Sequence, residues 1–347
     1  MNGGSLSCCV VAPRTALSGN VSTSNRIASY FGAKIIDCAA CVVDDGETFD
    51  VCFVLHALRG GRAVWGGGLD SPRVLSQRYV MVCGGTDVNE FADDPVLRGE
   101  MRRYIDQCHA VVSFSAWFCH AIRSRWPIES CRVHVIPQGV DSSAHGARVD
   151  CMSQVLSEAK GMAAPESRRS AARVALWPGG LRSVKDPVFA TQGWSHIPEN
   201  GCLLLLIGPP LEDLVAQQVE IVCMSSPRIL WHHGVPHEQL MALFADRRTC
   251  CVLNTSRSEG QPQCILEAMA AGVPVVARDI PANAELLGTN GERGLLVRSS
   301  DELCSACAAP RDECRITAAK HHVQVLHSMS RERSAYRTLA ETLLADH

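Results

Sequence analysis

Short apolar runs recur along this 347-residue chain, and Gly-rich or charged residues follow each of them before a stretch with helical character. Continuous apolar runs of this length are typical of strands that are buried on both faces of a parallel sheet. Strands that alternate with helices therefore predict an α/β fold with helices on both faces of parallel sheets. The runs lie at 8–12, 51–55, 79–83, 110–114, 133–136, 173–177, 202–207, 228–231, 250–253 and 273–277.

A polar stretch rich in Ser and Ala separates these runs into two groups and contains no strand pattern. We interpret it, at 142–172, as a linker between a Rossmann-like domain at 1–141 and a second one at 173–327. The length of the chain suits two domains of ordinary size. Because ligands bind beyond the carboxyl ends of parallel strands, two such sheets that face one another predict an interdomain cleft.

Composition narrows the kinds of partner that we expect for this chain and the compartment in which we expect it. The net charge of −3 gives no indication of a nucleic-acid partner, and no apolar run approaches the ~18 residues of a transmembrane segment. Scattered single cysteines, 18 in all, are typical of a reducing compartment, so we expect a cytoplasmic protein. The CxxC pairs Cys38/Cys41 and Cys304/Cys307 lie far apart without a nearby histidine, and we expect no metal site.

The sequence GGLRSVKD at 179–186 follows a strand and precedes a predicted helix. Glycines such as Gly180 can expose backbone amides, while Arg182 and Lys185 place two positive charges one turn apart. With the positive end of a helix, this pattern predicts a diphosphate site, although a solvated basic turn would give the same pattern.

A second pattern places Glu267 inside an apolar helix predicted over 262–271, between Pro262 and Gly272. A buried carboxylate needs a partner. Since carboxylates accept hydrogen bonds from hydroxyl pairs, Glu267 and Glu259 near a phosphate site indicate a ribose and a sugar. The alternative is that Glu267 pairs with an Arg in the core while Glu259 faces water.

The stretch SRSEGQPQCILEAMAAGVPVVA at 256–277 resembles the E-x7-E signature of the retaining GT-B glycosyltransferases called glycosyl transferases group 1. VHVIPQGVD, GGLRSVKDP, LLLIGPP and ELLGTNGERGLLV are similar to further parts of that family. The segment 328–347 resembles its C-terminal helix that crosses back to the first domain. GGTDVNE, LRGGR and LRSVKDP together resemble a narrower subgroup, the glycosyltransferase 1 domain-containing proteins.

The resemblance implies a GT-B fold and a retaining, metal-independent transfer of a sugar from a UDP- or GDP-sugar, without a cofactor, to an unidentified acceptor. Glu267 would hold the ribose hydroxyls, and Glu259 those of the donor sugar. Arg182, Lys185, Glu259 and Asp87 are the predicted catalytic residues. The predicted donor-binding residues are Gly180, Arg182, Lys185, Gly208, Ser258, Glu259, Gly260, Gln261 and Glu267.

Two departures from the family concern the substrates. Pro262 replaces a residue whose amide would face the donor. Where many relatives have a histidine near the reacting carbon, this chain has Gly84-Gly85-Thr86-Asp87, and we expect Asp87 to orient the sugar or the acceptor. The predicted acceptor-binding residues are Gly19, Asn20, His56, Arg59 and Thr86.

Two alternatives to a glycosyltransferase stay open on the sequence. One is a glycosidic phosphorylase or hydrolase that uses two carboxylates on one bond. The other is a catalytically silent protein that binds a nucleotide sugar.

Overall fold

The computed structural model describes residues 6–14, 19–40, 47–141, 150–162, 172–192, 194 and 202–345, and the chain divides into two compact units. The first unit comprises Met1–Gly139 together with Met329–His347, and the second comprises Val140–Ser328.

The first unit contains a six-stranded parallel sheet with the strand order β2-β1-β3-β4-β5-β6. Its inner strands carry buried apolar residues toward their carboxyl ends, as the two-sided packing of helices requires, whereas residues 75–78 are partly or fully exposed. The strands are β1 Cys8–Ala12, β2 Lys34–Asp37, β3 Thr48–Leu55, β4 Leu75–Val82, β5 Ala110–Ser113 and β6 Val133–Val135.

Helices cover both faces of this sheet. Helices α2, α4 and α5 contribute to the apolar core on one face, and α1 and α14 to the core on the other. These helices are α1 Gly19–Phe31, α2 Arg59–Trp65, α3 Gly85–Asn89, α4 Pro95–Asp106, α5 Ala116–Arg125 and α14 Met329–Ala345.

Helix α14 is held to α1 by buried polar contacts as well as by apolar packing. The carboxylate of Glu332 accepts hydrogen bonds from Arg26 Nε at 3.0 Å and from the Tyr30 hydroxyl at 2.6 Å. Glu332 is 1% exposed and the side chain of Arg26 is 11% exposed, so this ion pair is largely removed from water. The end of the chain therefore belongs to the first unit.

The second unit repeats the architecture with the strand order β12-β11-β10-β7-β8-β9, again entirely parallel. Its strands are β7 Val174–Pro178, β8 Leu203–Ile207, β9 Ile229–His232, β10 Thr249–Asn254, β11 Val275–Arg278 and β12 Leu295–Val297. Its helices are α6 Cys151–Glu158, α7 Pro187–Gln192, α8 Asp213–Ser225, α9 His237–Ala245, α10 Gln263–Ala271, α11 Pro281–Leu287, α12 Ser300–Ala308 and α13 Glu313–Leu326.

The predicted α/β class with two parallel sheets is confirmed, and each of the ten predicted runs contributes a strand. The pattern missed β2 and β12, which lie at sheet edges and are only four and three residues long.

The predicted linker at 142–172 needs correction. Helix α6 lies inside it, and Met152, Val155 and Leu156 are fully buried in the core of the second unit. Residues 142–149 and 163–171 of that segment lie outside the described residues. No helix in the described part of the chain is both long enough and apolar enough to cross a bilayer.

Candidate functional site

The turn after β7 forms one wall of the candidate site. Ser183–Lys185 is a 3-10 turn in which the carbonyl of Arg182 accepts hydrogen bonds from the amides of Lys185 and Asp186 at 3.0 and 3.2 Å. Nε of Arg182 is buried and has no hydrogen-bond partner among the described residues. A buried cationic donor without a partner indicates a place for an anion.

The loops after β7 and β8 lie in close contact, which requires glycine. A Cβ at Gly208 would lie 1.9 Å from the carbonyl oxygen of Gly179, and one at Gly180 would lie 2.5 Å from the side chain of Leu211. Because the strands are parallel, both loops lie at the carboxyl edge of the second sheet. Packing against backbone therefore accounts for the glycine at one predicted donor position, Gly208, whereas the exposed side chain of Leu211 could move away from a Cβ at Gly180.

Thr255 fastens the loop after β10 to the turn after β7. Its hydroxyl accepts a hydrogen bond from Trp177 Nε1 at 2.7 Å and lies 3.0 and 2.9 Å from the carbonyl oxygens of Lys185 and Asp186. Thr255 is 0% exposed, so these contacts are shielded from water. They fix the position of Lys185 relative to the residues that follow β10.

Lys185 and Glu259 form an ion pair. Glu259 also accepts hydrogen bonds from the Ser256 hydroxyl at 2.6 Å and from Asn254 Nδ2 at 3.3 Å. Burial opposes ionisation of Glu259, but the charge of Lys185 and these hydrogen bonds keep its pKa below the usual value. The site thus holds an ionised carboxylate beside a cation, and the alternative of a Glu259 that merely faces water is not what the structure shows.

Helix α10 places Glu267 close to the same edge. Pro262 is its N-cap and Gly272 ends it with a φ of 73°, as the sequence predicted to within one residue. Glu267 is 7% exposed, and its Oε1 lies 2.9 Å from Nε2 of His237, the first residue of α9. Its partner within the protein is therefore not the core Arg of the alternative but the exposed His237, and a contact of Glu267 with a ligand stays a prediction.

Cys264 lies in helix α10, between the two glutamates along the chain. Burial raises the pKa of its thiol to about 11; the charge of Lys185 acts to lower it, and those of Glu259 and Glu267 act to raise it. Its Sγ also accepts a hydrogen bond from Asn254 Nδ2 at 3.6 Å.

The remaining predicted donor residues lie between β10 and α10. Gly260 and Gln261 are buried, and Ser258 is partly exposed. They occupy the approach to the amino end of α10, where a helix presents backbone amides to an anion.

In the first unit, Asp87 is fully buried, and its carboxylate contacts groups of the same chain. It lies 2.6 Å from Nδ1 of His56 and accepts hydrogen bonds from the amides of Ala57 at 2.7 Å, Gly84 at 3.0 Å and Leu58 at 3.3 Å. Burial opposes ionisation, but His56 and these amides keep the pKa of Asp87 below its usual value. No room is left on this carboxylate for a sugar hydroxyl, so its placement is that of a positioning residue.

His56 is itself unusual because it adopts a φ of 72°, the left-handed region, at the end of β3. A non-glycine residue there costs ~1–3 kcal/mol and persists only where the surroundings enforce it. The Asp87 contact and 3% exposure supply that enforcement.

The other predicted acceptor residues also lie at the carboxyl edge of the first sheet. Gly19 and Asn20 begin α1, Arg59 begins α2 and Thr86 lies in α3. Arg59 is exposed, whereas Asn20 and Thr86 are partly exposed. The topology thus brings together residues that the sequence grouped only by their position after a strand.

Several site residues were not predicted, namely His237, Asn254, Thr255, Ser256 and Asp186. His237 had a detectable signal, since it follows Pro236 at the start of a helix directly after a strand. Among the described residues, no group of three or more His, Cys, Asp or Glu has the arrangement of a metal site; Cys41 lies outside them.

Sequence comparison identifies relatives of this chain. Residues 172–309 match the family Glycosyl transferases group 1. The chain is 26% identical over 344 residues to Glycosyltransferase 1 domain-containing protein 1 of Xenopus tropicalis, covering 93% of this chain and 94% of that protein. It is 36% identical over 129 residues, 35% of each chain, to the lipopolysaccharide core biosynthesis mannosyltransferase LpcC of Rhizobium leguminosarum bv. viciae.

Solved structures share the fold along nearly the whole chain. Sucrose-phosphate synthase from Thermosynechococcus elongatus superimposes with a TM-score of 0.73 at 14% identity, over 99% of this chain and all of that one. HepE from Anabaena, solved in complex with UDP and glucose, gives 0.72 at 15% identity, over 98% of this chain and all of that one. Both comparisons show the GT-B fold.

Proposed function

We propose that this chain transfers a sugar from a nucleoside diphosphate sugar to an acceptor. The match of residues 172–309 to the family Glycosyl transferases group 1, the similarity to Glycosyltransferase 1 domain-containing protein 1 and the shared GT-B fold support this activity. The anomeric configuration is retained, and no divalent metal takes part. The UDP and glucose in the Anabaena relative support a donor of this class.

Arg182 and Lys185 bind the diphosphate in this proposal. Charge develops on the departing nucleoside diphosphate as the glycosidic bond breaks, so fixed positive groups stabilise the transition state most. The unpartnered Nε of Arg182 supplies one contact. Lys185 supplies another, and Glu259 keeps it in place until the donor arrives.

These two cations perform the task that a divalent cation performs in metal-dependent enzymes. The leaving phosphate then accepts the proton of the acceptor hydroxyl on the same face of the sugar, which gives retention. The amides near Gly260 and Gln261 add neutral donors at the approach to α10.

Two carboxylates bind hydroxyl groups. Glu259, ionised and one-tenth exposed, accepts from the donor sugar, and Glu267 accepts from the ribose. Nε2 of His237 lies 2.9 Å from this carboxylate, which accepts a hydrogen bond from Nε2–H, so the nucleotide either shares Glu267 with the imidazole or replaces the imidazole.

The first unit provides the acceptor side. His56 is held in place by Asp87, and we propose that this pair supports the acceptor-binding surface. The residues that contact the acceptor there are Gly19, Asn20, Arg59 and Thr86. The positive charge of Arg59 favours an anionic acceptor. Asp87 acts through His56 and does not contact the substrate.

The observation that carries the proposal is the ion pair of Lys185 with the largely buried Glu259, together with Arg182, three residues along the chain from Lys185, whose buried Nε has no hydrogen-bond partner among the described residues. Core pairing alone does not account for a buried cationic donor without a partner.

The test combines a thermal-shift panel of UDP, GDP, ADP and their sugar conjugates with an assay for nucleotide release. We expect one nucleotide family to raise the melting temperature, since a ligand at a hundred times its Kd adds ~2.7 kcal/mol. We also expect release of that nucleotide from its sugar conjugate when EDTA is present, because the proposed reaction needs no divalent metal.

Lys185→Ala should abolish the shift, whereas Lys34→Ala, which breaks an exposed ion pair with Glu47 in the first unit, should retain it. Binding without nucleotide release would instead identify a silent nucleotide-sugar-binding protein. Sugar release that needs inorganic phosphate and no nucleotide would identify a phosphorylase.

A further inference from the structure

A cavity of about 360 Å³ lies at the amino ends of the strands of the second sheet. Arg173 precedes β7, Thr249 begins β10, Val275 begins β11 and Leu295 begins β12, and all four residues line it. Because the strands are parallel, this edge is opposite the one that carries Lys185 and its partners. The proposed donor site makes no use of this cavity.

Arginine dominates the charge of the cavity wall. Six arginines line it against a single acidic residue, Asp312. The arginines are Arg173, Arg247, Arg248, Arg293, Arg311 and Arg315.

Three of these arginines are paired with carboxylates. Arg248 pairs with Asp246 and Asp150, Arg311 pairs with Glu313, and Arg315 pairs with Asp312. For Arg173, Arg247 and Arg293, no carboxylate partner exists among the described residues. The wall therefore carries positive charge that no carboxylate in the described part of the chain neutralises.

Two of the unneutralised arginines are held in place by backbone carbonyls. Arg173 donates to the carbonyl of Cys307 at 2.9 Å, and Arg293 donates to those of Leu286 at 2.6 Å and Glu285 at 3.2 Å. A carbonyl orients a guanidinium without cancelling its charge. These side chains are thus preorganised, which lowers the cost of ordering them around a ligand.

The thiol of Cys250 lies on the wall of the same cavity. Cys250 is partly exposed on the cavity wall, and its Sγ lies 3.1 Å from Sγ of Cys202. Hydrogen bonds from Cys202 and Cys251, followed by the charge of Arg173, lower the pKa of Cys250. A positive environment favours the thiolate in the way that it would favour a bound anion.

We propose that this cavity is a second ligand site, which binds a small molecule through a phosphate or diphosphate group held by Arg173, Arg247 and Arg293. Its volume lies within the usual range for small-molecule sites, ~300–1,000 Å³. Planar guanidinium groups match the oxygens of a phosphate better than those of any neutral ligand. The site stands apart from the donor site in both position and residues.

Inorganic pyrophosphate is the probe, and the full chain carries Lys185→Ala to weaken the proposed donor site. The rate at which iodoacetamide alkylates Cys250 is measured by peptide mass spectrometry. Only the free protein reacts, so pyrophosphate at ten times its Kd should slow this alkylation roughly tenfold. The exposed Cys131 is the internal reference, and its rate should not change.

Adding Arg173→Gln and Arg293→Gln should abolish the protection, whereas Arg298→Gln, an exposed arginine paired with Asp279, should leave it intact. If the double variant does not fold, the exposed Arg247→Gln should raise the pyrophosphate concentration needed for protection. Absence of protection, or protection that survives these substitutions in a folded protein, overturns the proposal. Because the readout is a thiol in this cavity, its failure is distinguishable from a failure to bind the sugar nucleotide.

Discussion

Nε2 of His237 lies 2.9 Å from Oε1 of Glu267, and the two residues differ sharply in exposure: the histidine side chain is 59% exposed and the glutamate side chain 9%. A buried carboxylate with a solvent-exposed partner is accessible to a ligand that displaces or shares that partner. This relationship distinguishes Glu267 from a carboxylate paired inside the core.

Glu267→Gln should weaken nucleotide binding and leave the fold intact. The substitution removes a charged acceptor from the proposed ribose contact, and hydrogen bonds to charged groups contribute ~1.5–3 kcal/mol, so Kd should rise roughly tenfold or more. Calorimetric titration of the nucleotide that responds in the panel measures this. Glu341→Gln, on the exposed face of α14, is the control and should not alter Kd; equal affinity in both variants would remove Glu267 from the site.

Lys185→Ala should lower the rate of sugar transfer by about a hundredfold, because one fixed contact to the leaving group is lost. Nucleotide release from the sugar conjugate measures the effect. The control variant Lys34→Ala should transfer sugar at the same rate as the protein without substitutions. A rate unaffected by Lys185→Ala would contradict the role given to this cation.

Asp87→Asn should destabilise the first unit by ~3–5 kcal/mol at neutral pH, because it breaks a buried pair with His56. The pKa of Asp87 is lowered on folding. Its carboxylate therefore stabilises the fold above the unfolded-state pKa of ~3.9, and this stability is lost as the pH falls through the folded-state value. Urea unfolding at several pH values should show the difference between the two proteins at neutral pH and its decrease only below about pH 4.

Asp93→Asn is the matched control for that series, since Asp93 forms an exposed ion pair with Arg125. It should cost less than ~1 kcal/mol. If Asp87→Asn proved equally mild, the role of this carboxylate in holding His56 would have to be abandoned.

Glu332→Gln should loosen α14 from the first unit. It leaves Arg26 buried without its counter-charge, and breaking such a pair costs ~3–5 kcal/mol. Hydrogen exchange should become faster in α14 and in the facing part of α1, while strands of the second unit keep their protection. Glu341→Gln should change neither, and unaltered protection of α14 in Glu332→Gln would show that apolar packing alone holds this helix.

The sequence predicted most of this architecture because buried parallel strands have a strong local signature. The edge strands β2 and β12 carry too few apolar residues to show it. Helix α6 was not predicted for another reason: its buried residues Met152, Val155 and Leu156 lie in a stretch whose overall composition is polar.

The sequence grouped several residues of the candidate site by their position after a strand, and their roles stay predictions. Spacing along the chain indicated that Lys185, Glu259 and Glu267 belong to one edge, but it contains no information on which side chains pair. The partner of Glu267 is 30 residues away, and the burial of Asp87 follows from the packing of β3 against β4. Pairing across elements depends on tertiary structure, which a local pattern does not encode.

A crystal structure with the nucleotide that the thermal-shift panel selects tests the proposed donor site most directly. We predict ribose hydroxyls within hydrogen-bond distance of Glu267 and a diphosphate held by Arg182 and Lys185. A nucleotide bound elsewhere, or one that leaves the Glu267–His237 and Lys185–Glu259 pairs without contact to the ligand, would contradict it.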